Sequence, residues 1–262
     1  MTTTPYFFTM HHGTGVATRA MLNDLPFYRG LGQKNLTVSG PANHLLLPGE
    51  NVLTIEVYPA PRPATAPTIE GPVEFELKLD DATAATVHKL GWPDAWAAFP
   101  VKDRILPFLH STRFLVDDRL ALPPYWDSPP ARFGLEGLPG QHEAVREVYR
   151  SFVQSDVDAF FEANRLKLEE RQRAYPDTGD FAAGTQREKL AGYFGQEWDV
   201  RPIDQINLNE LVFESRAGGR VAYVTRADGG RAIEAIAAND PSETFAADLF
   251  LTQRDGRWRI FR

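Results

Sequence analysis

The chain has 262 residues, a formal charge of −7 and no cysteine. Absent thiols exclude disulfides, cysteine nucleophiles and cysteine-ligated zinc or iron–sulfur centres. Acidic residues exceed basic ones in both halves, leaving −2 over residues 1–135 and −5 over residues 136–262, so the long-range attraction that dominates nucleic-acid binding is missing.

Hydrophobic residues at 43% and charged residues at 24% describe a folding chain, long enough for two domains. No apolar run approaches the ~20 residues of a membrane-spanning helix, so no membrane partner is expected. The opening "MTTTPYFFTMHHG" carries neither a basic leader nor a long apolar core, which predicts a cytoplasmic protein.

The first chemical cue in chain order is "HHGTG", residues 11–15. His11 and His12 on a strand point to opposite faces, and no nucleotide-binding pattern surrounds the glycines, so neither a metal nor a cofactor is implied. "LLLPGENVLTIEV" then turns at Pro48-Gly49 and alternates, with Leu53, Ile55 and Val57 on one face and Thr54 and Glu56 on the other. "VEFELKL" repeats the pattern with Val73, Phe75, Leu77 and Leu79. Two such half-buried strands with no helix between them predict an all-β sandwich over residues 1–121. "AWAAFPVKDRILPFL" suits a short helix interrupted at Pro100 and Pro107.

Residues 122–140, "LPPYWDSPPARFGLEGLPG" with the Leu122 that opens it, are dense in proline and glycine and mark a linker. From Gln141 the period changes. Val145, Val148, Tyr149, Phe152 and Val153 form a helical stripe. Ser155 offers a cap for a second helix carrying Val157, Phe160, Phe161 and Leu168 inward and ending before Pro176. "RLKLEERQR" within it reads as a solvated face, and a third helix is expected across "TQREKLAGYFG". Five strands follow near 205–215, 220–226, 231–238, 245–253 and 257–261, separated by short turns, which predicts an antiparallel meander. Residues 141–262 are therefore read as an α+β domain with helices packed on a curved sheet.

Two resemblances accompany these patterns. "MLNDLPFYRG" followed by "LLLPGENVLTIEV" resembles the strand pair and turn of galactose-binding-like jelly-roll domains, many of which bind sugars. The order of helices and strands ending in "ADLFLTQRDGRWRIFR" resembles SnoaL-like and ketosteroid-isomerase-like cone folds, which include enzymes as well as binding modules.

A cone isomerase needs an acid–base set inside the cone. Strand parity groups Phe245, Ala247, Leu249 and Leu251 on one face and Ile233, Ala235 and Ala237 likewise, sending Asp248 and Glu234 outward. Tyr149, Tyr193 and Tyr223 remain as donors for an enzymatic alternative, but no catalytic set is assigned. Ala222, Val224, Ile236, Phe250 and Phe261 are grouped on the outward face, which is too apolar to be bathed in water. That face, with Val224, Ile236, Phe250 and Phe261 at its centre, predicts binding of a protein partner or self-association. A third reading, carbohydrate binding, rests on Trp92, Trp96, Tyr125 and Trp126 as a stacking platform, although the same rings suit a wedge between domains.

Overall fold

The structure is a computed structural model that describes residues 5–32, 34–59, 70–80, 83–92, 94, 106–123, 125–126, 128–130, 138–176, 183–194, 198–200, 208–227, 230–237 and 244–262. The side chains of 70–72, 138, 183, 190, 193, 198–200 and 244–246 are excepted. The chain divides into two compact units, Met1–Leu122 and Pro123–Arg262.

The first unit contains β1 (Tyr6–Thr14), β2 (Val16–Leu22), β3 (Leu25–Gly30), β4 (Leu36–Pro41), β5 (Glu50–Pro59), β6 (Glu70–Leu79), β7 (Thr86–Trp92) and β8 (Phe108–Leu115). They form two antiparallel sheets of four strands, ordered β4-β1-β6-β7 and β3-β2-β5-β8. Alternation drives the packing: Leu53, Ile55 and Val57 on β5 and Val73, Phe75 and Leu77 on β6 enter one core with Phe8 and Met10 of β1. Phe27 meets Phe8 and Phe75 edge-on at 5.4 and 5.5 Å between ring centroids. Each large apolar side chain buried this way contributes about 1.5–3 kcal/mol.

The Pro-Gly-Glu-Asn corner has a specific fastening. Asn51 accepts from the Leu47 N–H at 2.8 Å and donates to the Leu47 and Gly49 carbonyls at 2.8 and 3.0 Å. It also accepts from the Asn23 side chain at 2.8 Å, which ties the corner to the β2–β3 turn, where Asn23 and Asp24 both have positive φ. β7 and β8 flank the stretch for which a helix was expected, and most of that stretch, 95–105, lies outside the described residues.

In the second unit the described helices are α1 (Leu138–Val153), α2 (Val157–Ala163), α3 (Arg165–Ala174) and α4 (Ala183–Phe194). Helix α1 starts inside the stretch read as linker, whose earlier residue Tyr125 packs on Phe261 at 5.1 Å. Asp156, not Ser155, caps α2, its carboxylate accepting from the Ala159 N–H at 2.9 Å. The long second helix breaks at Asn164, whose side chain turns back to donate to the Phe160 carbonyl at 2.9 Å. Val153, expected in the apolar stripe, is exposed at the end of α1.

The strands are β9 (Trp198–Val200), β10 (Leu211–Arg216), β11 (Val221–Arg226), β12 (Ile233–Ala237), β13 (Thr244–Ala247), β14 (Leu249–Arg254) and β15 (Arg257–Ile260). They do not form one meander. β10-β11-β14-β15 make one antiparallel sheet and β13-β12-β9 another. The expected strand 245–253 is interrupted at Asp248, and its two halves pair in different sheets. Val145, Val148, Tyr149 and Phe152 of α1 pack with Ala222, Val224, Leu249, Leu251, Trp258 and Ile260 in a single core.

Candidate functional site

β15 is the terminal strand of its sheet and alternates plainly: Trp258 and Ile260 are buried, while Arg257 and Arg259 face outward. Across the tight turn at Asp255 and Gly256, both with positive φ, Arg254 stands directly opposite Arg257. Three arginines therefore share one side of a hairpin. Like charges placed opposite one another across a ladder repel, so this arrangement works against stability unless an anion offsets it.

The α2–α3 junction closes the other wall. Glu162, Ala163, Arg165 and Leu166 join Arg254, Asp255, Arg257 and Arg259 around a cleft of about 240 Å3. Arg165 is engaged by Glu162 at 3.2 Å. Among the described residues neither Arg257 nor Arg259 makes an ion pair. Four guanidinium groups against two carboxylates leave the lining cationic in a chain whose total is −7.

The basic character continues along the α3–β15 seam to a buried anchor. Arg262 grips Glu170 through Nε at 3.1 Å and Nη2 at 2.9 Å, a fork-to-carboxylate pair with Glu170 only 3% exposed. Lys167, one turn before Glu170, is driven down to about 8 by burial and by the nearby Arg171. Residues 162–171 and 254–262 together carry seven cations and four carboxylates. The expectation of a wholly solvated face over "RLKLEERQR" is thus corrected. Glu170 faces inward because its partner arrives from the far end of the chain.

Tyr149 is buried in the core between α1 and the strands. Tyr223 lies on the opposite side of β11, its ring tilted against that of Phe250 at 4.9 Å between centroids, and Tyr193 sits on α4 with its side chain outside the described set. Tyr149 and Tyr223, the two with described side chains, face opposite sides of the sheet and do not assemble around one point. Glu234 points outward and binds Arg226 at 2.9 Å, and Asp248 is half-buried at the break between β13 and β14.

The apolar-face expectation needs correction. In the β11–β14 register Val224 opposes Leu249 and Ala222 opposes Leu251, which puts Val224 on the helix side. Tyr223, Phe250 and Phe261 form the other face, and Phe250 and Phe261 are buried, with Tyr125 against Phe261. Ile236 stands apart on β12 of the three-stranded sheet, 48% exposed. Parity within each strand was readable, but the register between strands is what assigns faces.

The rings read as an aromatic platform are described in part. Trp92 is buried in the core of the first unit, and Trp96 lies outside the described residues. Tyr125 is fully buried and meets the half-exposed Trp126 edge-on at 72°, while Arg220 covers the Trp126 ring at 5.5 Å. A sugar needs an exposed, coplanar ring face, which Tyr125 and Trp126 as a pair do not offer.

No group of three or more metal-ligating side chains occurs among the described residues, and no described helix is long and apolar enough to cross a membrane. No family model, curated protein or solved structure matches this chain.

Proposed function

We propose that this chain is a non-enzymatic recognition protein whose α+β unit receives an acidic segment of a protein partner in the arginine-lined cleft. One observation carries the reading: Arg165, Arg254, Arg257 and Arg259 converge on a concave surface of an otherwise acidic chain, and Arg257 and Arg259 have no ion-pair partner among the described residues. A side chain bearing a carboxylate gains charge-assisted hydrogen bonds there, and an extended acidic segment meets several guanidinium groups in turn. The chain's own net negative charge disfavours non-specific association with such a segment, so a local cationic cleft adds selectivity by position.

The two antiparallel sheets of the first unit support the jelly-roll-like sandwich reading, and the helix-backed, broken sheet of the second supports the cone-like one. Neither fold resemblance identifies a reaction. The opposite placement of Tyr149 and Tyr223 and the outward-facing Glu234 favour recognition over acid–base catalysis.

The test is a titration of a fluorescein-labelled Glu/Asp-rich decapeptide followed by anisotropy, with a Gln/Asn-rich peptide as control. Binding is expected to weaken with added salt and to fall about tenfold or more, ~1.4 kcal/mol, in an Arg257→Glu/Arg259→Glu variant. Equal binding of the neutral peptide, or binding indifferent to the double charge reversal, defeats the proposal.

A further inference from the structure

The core of the first unit contains a small polar island. His12 enters from β1 of one sheet; Thr18 of β2 and Tyr28 of β3 enter from the other. All three are buried, and His12 Nε2, Thr18 Oγ1 and Tyr28 Oη have no hydrogen-bond partner among the described residues. Leaving such groups dry costs about 1–3 kcal/mol each, so three together demand an occupant.

They converge on one place. Thr18 is paired directly with Gly30 in the β2–β3 ladder, so its side chain projects to the same side as the missing side chain of Gly30. A methyl group on Gly30 would lie 2.7 Å from Tyr28 Oη and 2.9 Å from His12 Nε2. The phenol oxygen and the imidazole nitrogen are therefore no more than about 5.6 Å apart, within the reach of a single bridging water with two bonds of ~2.8 Å. Gly30 is needed here because the two polar groups occupy the space a Cβ would take.

The Val16 backbone lies against the His12 ring in a contact that favours its proton-bearing form, and Nε2 is the ring nitrogen left without a partner, which suits an arrangement with the proton on Nδ1 and a lone pair on Nε2. Burial holds the imidazole below its ordinary value and pushes the Tyr28 phenol up to about 12, so both are neutral near pH 7. A lining of neutral groups does not stabilise an ion.

We propose that the first unit holds one internal water molecule, donating to His12 Nε2 and bonded to Tyr28 Oη and Thr18 Oγ1. It joins the two sheets across their shared core, where the surrounding contacts are otherwise apolar, and it fixes the orientation of three side chains at once.

Two measurements on the full chain test this water. A crystal structure is expected to show one ordered water within hydrogen-bonding distance of Nε2 and Oη. A direct His12–Tyr28 hydrogen bond, or an empty gap between the rings, overturns the proposal. Relaxation dispersion of water oxygen-17 counts long-lived internal waters, and a Tyr28→Phe/Thr18→Val variant that still melts cooperatively is expected to hold one fewer than the parent. Equal counts refute it, and if that variant does not fold, the crystal structure alone decides.

Discussion

Two buried polar clusters, one in each unit, handle polarity in opposite ways. Between the sheets of the first, the buried polar groups of the His12 island are neutral, and burial keeps them so. In the second, Glu170 and Arg262 are a charged pair, taken out of water together and held by two hydrogen bonds. A neutral island costs little if a bridging molecule completes it, whereas a buried pair costs several kcal/mol in desolvation and survives only while both partners are present. The contrast teaches where each unit is fragile: the second fails on loss of a charge, the first on loss of space or on gain of a charge.

The largest effect should come from breaking the pair in half. Glu170→Ala leaves Arg262 buried without its carboxylate and is expected to cost about 3–5 kcal/mol in urea unfolding of the second unit. The Glu170→Met/Arg262→Met double variant should recover most of that loss, because it removes both desolvation penalties. A double variant as unstable as the single one would show that the pair is not the organising contact.

Next comes space in the first unit. Gly30→Ala drives a methyl group to 2.7 Å from Tyr28 Oη and is expected to destabilise by about 1–3 kcal/mol, as overpacking does, in thermal melts. Wild-type stability in that variant would mean that the island has slack and that the convergence on Gly30 is unimportant.

Charge gained by the island gives a smaller, pH-dependent effect. Burial lowers the His12 pKa below 6.5, so its contribution to stability is complete above pH 6.5 and is lost as pH falls through the folded-state value. Melting the wild type and a His12→Phe variant between pH 7.5 and 5 should give a steeper decline for the wild type. His88, also lowered by burial, leaves a residual slope in the variant. Identical slopes would show that His12 does not contribute.

The smallest expected change is on the cleft. Arg257→Glu/Arg259→Glu alters outward-facing side chains and should move stability by no more than about 0.5 kcal/mol per site while weakening acidic-peptide binding about tenfold or more. Circular dichroism melts alongside anisotropy separate the two readouts, and a large stability loss would recast these arginines as structural.

Much of the framework was legible because it is local. Alternation placed Leu53, Ile55, Val57, Phe75 and Leu77 on buried faces, the Pro-Gly corner announced β5, and the stripe from Val145 to Phe152 gave α1. Parity also separated His11 from His12: the first bonds Thr37 at 3.0 Å on the outer face, and the second is buried. The arginine cleft was less visible. "RDGRWRIFR" displays its charges openly, but nothing in that string says that Arg165 stands beside them.

Sequence by itself determined the periodic elements, the turns between them and the acidic, cysteine-free character of the chain, since each depends on neighbours a few positions apart. Tertiary structure alone decided that Val224 faces the helices, that Glu170 meets Arg262 across 92 positions, and that His12 and Tyr28 approach the same point beside Gly30, the ladder partner of Thr18. The reason is geometric. A strand's period fixes which residues share a face, but the register and layering of distant segments fix what that face touches, and charge and hydrogen bonding act only through that contact.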